Sequence, residues 1–176
     1  MNKIRQIDTR WVFALILLLS VSRLIPHPPN FTPLATMAIL SGCLSSQLRT
    51  GLVIPLAALL LSDVLLGLHS SMVFVYGAFV IITLSCRWLL TKLTISSVSL
   101  SVIWATAVFF LISNFGAWLS HDMYPSTMAG LGMAYIAGLP FLVNSLAGNI
   151  FFMLISIFAL NKMSSADRYV NSSRLG

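Results

Sequence analysis

At residues 23–33 the chain reads RLIPHPPNFTP, the densest run of polar residues and prolines in a largely apolar sequence. Its four prolines, Pro26, Pro28, Pro29 and Pro33, remove backbone donors and prevent a continuous helix. An irregular backbone cannot face lipid, because each unpaired amide or carbonyl would cost several kcal/mol there. The segment is therefore predicted to lie at a membrane surface or to line a protein-enclosed cavity, where it would cap a binding pocket.

Composition places the whole chain in the membrane class. Of 176 residues, 58% are hydrophobic and 8% are charged, whereas an ordinary soluble domain has roughly 25% charged residues. A soluble fold could not cover its surface with so few charges. We therefore expect an all-α polytopic membrane bundle. The net charge of +6 is expected to set topology and to contact the headgroups of the lipid bilayer, not to bind nucleic acid.

Apolar runs predict six transmembrane helices in one domain, 11–160, between an N-terminal segment (1–10) and a polar tail (161–176). The spans are expected at about 11–24, 32–46, 51–68, 72–90 and 98–119 and in a final run that ends near 160. The Gly- and Ala-rich residues 126–139 leave three alternatives open: a surface helix, a re-entrant piece, or the first half of a long sixth helix broken near 138–140. The basic start also fits a signal peptide cleaved near residues 20–22.

The basic residues test this topology. With six spans, nine of the ten fall on the side of the termini: Lys3, Arg5, Arg10, Arg49, Arg87, Lys92, Lys162, Arg168 and Arg174. Arg23 alone falls on the other side. Because Lys and Arg accumulate in cytoplasmic loops, both termini are predicted to be cytoplasmic.

The same topology gathers polar side chains at the outer ends of the helices. Asp63, for example, lies about six residues, or roughly 9 Å, from the outer end of its span. The candidate substrate-binding residues share this level of the membrane: Arg23, His27, Asn30, Asp63, His69, Met72, Tyr76, Asn114, Trp118, His121, Tyr124 and Asn144. The inner halves of the spans carry far fewer polar groups.

An ionisable residue inside a span is a functional candidate by default. For Asp63 three interpretations remain open: an ion pair with Arg23 that locks two helices, a contact with a ligand, or a protonated carboxyl bonded within the bundle. The three histidines fit polar loop positions, ligand contacts, or a converging metal site. Cys43 and Cys86 lie in apolar runs without metal-ligand spacing, and we expect buried, inert thiols.

Five segments carry a resemblance to a family of small bacterial integral membrane proteins, a domain of unknown function. They are RLIPHPPNFTPLATMAI (23–39), PLAALLLSDVLLGLH (55–69), VYGAF (75–79), SNFGAWLS (113–120) and YPSTMAGLGMAYIAGLPF (124–141). The resemblance covers about residues 11–160. That family is distantly similar to the substrate-binding S components of energy-coupling-factor vitamin transporters.

The resemblance implies a six-helix bundle of the bacterial inner membrane that binds a vitamin-like molecule near its outer face, under loops that close over it. It also implies a partner module with two ATPases. The chain itself has no GxxxxGK[ST] motif, so ATP hydrolysis would belong to that partner.

The leading functional hypothesis is a transporter, or its substrate-binding subunit, for a small organic nutrient, with no cofactor and no resident metal. One alternative is an assembly or scaffold subunit without a ligand. Another is a metal-assisted membrane enzyme, although HExxH, GxSxG and paired-carboxylate motifs do not occur in the sequence. A pocket between residues 26–33 and the ends of the third, fifth and sixth spans would favour the first hypothesis.

Overall fold

The computed structural model describes residues 9–45, 47–90, 92, 94–120 and 123–173, with side chains from Arg10 to Lys162. These residues form six helices and no strand. In chain order the helices are α1 (Thr9–Ser22), α2 (Leu34–Leu44), α3 (Leu48–Leu66), α4 (Met72–Leu89), α5 (Ile95–Ser120) and α6 (Met128–Ser173). The predicted all-helical bundle is confirmed.

The shortest helix, α2, occupies the centre of the bundle. All of its residues are buried, and it packs against each of the other five helices. Its 11 residues extend only about 16 Å at 1.5 Å per residue, roughly half of the 30 Å hydrocarbon core of a bilayer. The helix begins directly after Pro33, because the proline-rich backbone before it cannot be helical.

Four of the helices in the described residues, α3 to α6, are long and apolar enough to cross a membrane, whereas α1 and α2 are shorter. The predicted second span, 32–46, thus contains a helix that other helices enclose, and not one that reaches both membrane surfaces. Apolar side chains are favoured in both settings, so the sequence pattern is the same.

Large apolar side chains cover the outside of the bundle. Val73 is 77% exposed and Phe158 is 66% exposed, and many aliphatic residues of α3 to α6 resemble them. Such a continuous apolar surface would aggregate in water but is well solvated by lipid. Together with the four long helices, it identifies a membrane protein.

Helix α6 has 46 residues and extends about 69 Å, more than the roughly 40–45 Å of a whole bilayer with its headgroups. It passes through Pro140 without interruption. Of the three alternatives for residues 126–139, the structure therefore has the long sixth helix, without a break at 138–140. The helix also continues through residues 161–173 of the predicted tail.

Small and polar residues join the buried helices to one another. Ser20 Oγ of α1 donates to Ala58 O of α3 over 2.7 Å, and Ser41 Oγ of α2 donates to Gly51 O of α3. Gly42 of α2 lies directly against the backbone of Thr83 in α4. Small residues of this kind allow helices to approach closely inside a membrane.

One buried amide connects three helices near the middle of the bundle. Asn149 of α6 is 3% exposed; its Oδ1 accepts from Thr36 N of α2 over 3.2 Å, and its Nδ2 donates to Thr106 Oγ1 of α5 over 3.1 Å. These bonds fix the start of α2 at the level of Thr106. Since α5 continues to Ser120, about 21 Å of α5 extends beyond the start of α2 in the direction of its C-terminus.

The close approach of α2 and α4 gives a stability prediction. A Cβ at position 42 would overlap the backbone carbonyl of Thr83, which cannot rotate away. We expect Gly42→Ala to lower the free energy of unfolding by about 1–3 kcal/mol. Thermal unfolding of the detergent-solubilised protein measures this.

The matched control is Gly77→Ala in α4, where the added methyl group meets open space. Alanine favours a helix over glycine by about 1 kcal/mol, so this variant should unfold at or above the wild-type temperature. Equal unfolding temperatures for the two variants would contradict the packing described for Gly42.

Candidate functional site

The proline-rich segment 23–33 connects α1 to α2 at the end of the bundle where α3 and α5 finish. It lies against α6, because Asn144 Nδ2 donates to Pro29 O over 3.0 Å. The Phe31 ring packs on Phe151 and Phe152 with centroid distances of 5.8 and 5.9 Å. The segment is thus held on α6. At this end of the bundle, the space beyond the start of α2 is not filled by α2 itself.

A buried ion pair fixes the start of this segment. Arg23 Nη1 lies 2.8 Å from Asp63 Oδ1 of α3, and it also donates to Ser62 Oγ. Tyr76 Oη of α4 donates to Asp63 Oδ2 over 3.1 Å. Of the three interpretations left open for Asp63, the structure has the ion pair with Arg23, which ties the end of α1 to α3 and, through Tyr76, to α4.

A cleft of about 400 Å³ opens beside this ion pair, above the start of α2. Its wall consists of the loop residues of this end and of side chains on the facing sides of α5 and α6. The lining residues are Arg23, Asn30, Leu34, His69, Val75, Phe109, Ser113, Asn114, Ala117, Met123, Tyr124, Ala134, Ala137, Gly138 and Phe141. The cleft lies between the proline-rich segment and the ends of α3, α5 and α6, where the sequence predicts a pocket.

The charges around the cleft are unequal. Arg23 reaches the lining with a side chain that is 12% exposed, while Asp63 is 2% exposed and lies behind it. No Asp or Glu is among the described residues that line the cleft. The polar lining atoms come from amide, hydroxyl and imidazole groups, and the rest of the wall is aromatic or aliphatic. The arrangement can hold a small molecule with an apolar body and one or two polar groups.

Five of the twelve candidate residues line the cleft: Arg23, Asn30, His69, Asn114 and Tyr124. Asn30 adopts the left-handed conformation with φ of 61°, which asparagine tolerates better than most residues. Asn114 Nδ2 bonds to Phe110 O of its own helix over 2.8 Å, which leaves its Oδ1 toward Gly138 of α6. These five supply guanidinium, amide, imidazole and phenol groups to the wall, which also contains the hydroxyl of Ser113.

Other candidates support the cleft without lining it. Asp63 and Tyr76 lie behind Arg23. Asn144 holds the proline-rich segment, and Trp118 Nε1 donates to Pro125 O over 2.9 Å, which closes the turn before α6. Met72 starts α4 at the same end of the bundle.

The histidines do not form a common site in the described part of the chain. His27 is exposed, and its Nδ1 contacts Pro28 O of its own segment at 2.9 Å. His69 Nδ1 contacts Ser71 Oγ at 3.0 Å. His121 and Asp122 lie outside the described residues. Among the residues with described side chains, no three His, Cys, Asp or Glu groups are placed to hold a metal ion. Cys43 and Cys86 are buried, as predicted, and form no disulfide in the described part of the chain; Cys43 Sγ donates to Cys86 O over 3.0 Å.

Sequence reasoning missed the apolar half of the wall. On α5 it is formed by Phe109 and Ala117, with the polar Ser113 midway between them at the same four-residue spacing, and on α6 by Ala134, Ala137, Gly138 and Phe141. Both sets follow the period of a helix face. This periodicity was the signal that could have identified the apolar wall from the sequence. It was not sufficient, because small apolar residues have the same spacing where two helices simply pack together.

The fold and cleft define an α-helical membrane protein with a partly polar cleft at one end of its bundle. Within that class, the chain belongs to the Family of unknown function (DUF6580), whose model matches residues 4–170. This confirms the assignment to a family of unknown function, while the more distant similarity to S components stays a prediction. No curated protein and no solved structure matches the chain.

The buried ion pair gives a second stability prediction. Asp63→Leu leaves the guanidinium of Arg23 without its counter-charge, and we expect a loss of about 3–5 kcal/mol in the free energy of unfolding. Arg23→Leu should cost a similar amount, because it leaves a buried carboxylate unpaired.

The double variant Arg23→Leu/Asp63→Leu should be clearly more stable than the sum of the two single changes predicts, since no unpaired charge remains. Thermal or denaturant unfolding in detergent measures the three variants. Strict additivity would show that the two side chains are not coupled.

Proposed function

We propose that this protein binds a small, vitamin-like organic molecule at the outer face of a membrane and takes part in its uptake, as a transporter or its substrate-binding subunit. The supporting observation is the cleft of about 400 Å³ between the proline-rich segment, α5 and α6. This volume falls in the usual range for small-molecule sites, roughly 300–1,000 Å³.

The position of α2 favours a binding cleft over a scaffold. A bundle that needs only stability can extend each helix through its full depth and fill its interior with apolar side chains. Here α2 extends through only about half of the depth of the bundle. In the other half, residues with polar side chains such as Asn114 and His69 line the cleft. Polar groups at membrane depth are costly, and proteins keep them mainly at sites where they act.

The distribution of basic residues supports the proposed orientation of the protein in the membrane. Arg87 Nη1 donates to Ser45 O over 3.0 Å, which places it at the C-terminal end of α2, away from the cleft. Arg49, at the start of α3, and Lys162, late in α6, belong to that same end by their positions along the helices. Because basic residues favour the cytoplasm, the cleft would face outward, and both termini of this multi-pass inner-membrane protein would be cytoplasmic.

In this function the proline-rich segment 23–33 would cover the cleft. It is held on α6 by the hydrogen bond from Asn144 and the ring contacts of Phe31, and in the proposed opening it moves away from α5 while it stays attached to α6. Energy for release into the cell would come from a separate module, such as the ATPase partner that the S-component resemblance implies.

Filling the cleft tests the binding function. Ala137 lines the cleft on α6, and we expect Ala137→Trp to abolish binding because the indole takes up the space of the ligand. The matched control is Ala147→Trp, which adds the same volume at an exposed position of the same helix. Thermal-shift screening against vitamins, vitamin precursors and nucleobases, followed by calorimetry, measures binding to the wild type and both variants.

The expected result is a ligand that stabilises the wild type and Ala147→Trp but not Ala137→Trp. Two results would contradict the proposal: a screen in which no compound stabilises the wild type, or a ligand that binds all three proteins equally well.

Orientation has its own test. Ser126 is exposed in the turn before α6 at the cleft end, and Ser96 is exposed at the start of α5 at the opposite end. In intact bacterial spheroplasts, Ser126→Cys should react with a membrane-impermeant maleimide and Ser96→Cys should react only after lysis. The reverse pattern would place the cleft on the cytoplasmic side. The native cysteines are buried and serve as the unreactive background.

A further inference from the structure

The geometry around Arg23 points to the chemical class of the ligand: we propose that the cleft selects solutes with a carboxylate and that Arg23 anchors this group. This inference rests on the proposed function, because it concerns the same cleft. It goes further, because it predicts which of two nearly identical molecules will bind.

Arg23 is held through one terminal nitrogen of its guanidinium. In the described part of the chain, its contacts with Asp63 and Ser62 both use Nη1. A guanidinium has five N–H donors in a rigid planar fork. Since the Arg23 side chain also lines the cleft, donors on its other edge are left for a ligand. A second carboxylate can then bind the same guanidinium from the cleft side, in the two-bond geometry that carboxylates favour.

The two charges of the ion pair lie at different distances from the cleft. Asp63 is 2% exposed and lies behind Arg23, and the described cleft lining contains no carboxylate. The pair thus presents its positive end to the cleft and its negative end to the helices. A carboxylate in the cleft is nearer to the guanidinium than to Asp63, whereas an ammonium group would meet the cation first. The low polarity of the surroundings strengthens this preference.

The rest of the cleft wall combines apolar surface with uncharged polar groups. Val75, Phe109 and Phe141 provide apolar surface, and Asn114, Ser113 and Tyr124 provide uncharged hydrogen-bonding groups. This wall suits a compact aromatic or aliphatic body with one anionic end. A phosphate with two charges would call for a second fixed cation, and Arg23 is the only Arg or Lys in the described lining.

Matched acid and amide pairs test the proposal on the unmodified protein. Nicotinate and nicotinamide, benzoate and benzamide, and 3-phenylpropionate and its amide differ almost only in the charge of one group. We expect at least one acid to stabilise the purified protein in lipid nanodiscs and to bind at least about tenfold more tightly than its amide, because hydrogen bonds to a charged group are roughly twice as strong as neutral ones.

Two conservative variants move this preference in opposite directions. Arg23→Lys keeps the positive charge near Asp63 but loses the planar fork, so the ratio of acid to amide affinity should fall about tenfold or more. Asp63→Asn keeps the shape and removes the counter-charge, so the ratio should rise. The acids should not bind to Ala137→Trp, in which the indole fills the cleft.

The outcomes separate this inference from the function on which it rests. Amides that bind as well as the acids, or better, would overturn carboxylate selection while the binding function stands. An acid preference that is the same in Arg23→Lys as in the wild type would overturn the role of Arg23. If neither acids nor amides bind and the wider solute screen is also empty, both proposals fail.

Discussion

Four prolines between α1 and α2 impose the constraint on which the structure depends. They prevent helix formation through residues 23–33, so α2 starts about 21 Å below the C-terminal end of α5. The helix then has room for 11 residues and fills one half of the bundle. The other half contains the folded-back segment and a cleft. A void in a membrane bundle arises here from a local backbone property of the segment between two helices.

This arrangement places irregular backbone and charge in a lipid environment, and the described contacts show how both are stabilised. The carbonyl of Pro29 accepts from Asn144, and Arg23 and Asp63 neutralise each other. At the opposite end, Arg87 donates to the carbonyl of Ser45 after α2, where a positive charge also interacts favourably with the helix dipole. The polar residues at the cleft end therefore have two tasks. Some of them hold the structure, and others line the space.

The sequence predicted the level of a side chain in the membrane better than its direction. Arg23 and Asp63 were expected at one depth, and they do form a pair. Trp118 and Asn144 were expected at the same level, yet they bond to main-chain carbonyls and not into the cleft. Hydropathy and charge fix depth, but rotation about the helix axis depends on packing that the pattern does not encode. The half-length of α2 was not predicted either: most of its side chains are apolar and its few polar ones form no polar face, so the sequence pattern is the same whether helices or lipid surround it.

Measuring whether water reaches the cleft tests most directly the claim that the half of the bundle beyond the start of α2 is open. In nanodiscs, Ala137→Cys should react with a charged methanethiosulfonate reagent, which requires aqueous access, and a solute bound in the cleft should slow the reaction. Ala147→Cys lies on the same helix, outside the cleft. Its exposed side chain would face lipid and not water, so it should stay unmodified. Reaction at position 137 and none at 147 is the predicted result. If Ala137→Cys is as unreactive as Ala147→Cys, the half of the bundle above α2 is closed to water, and the account is wrong.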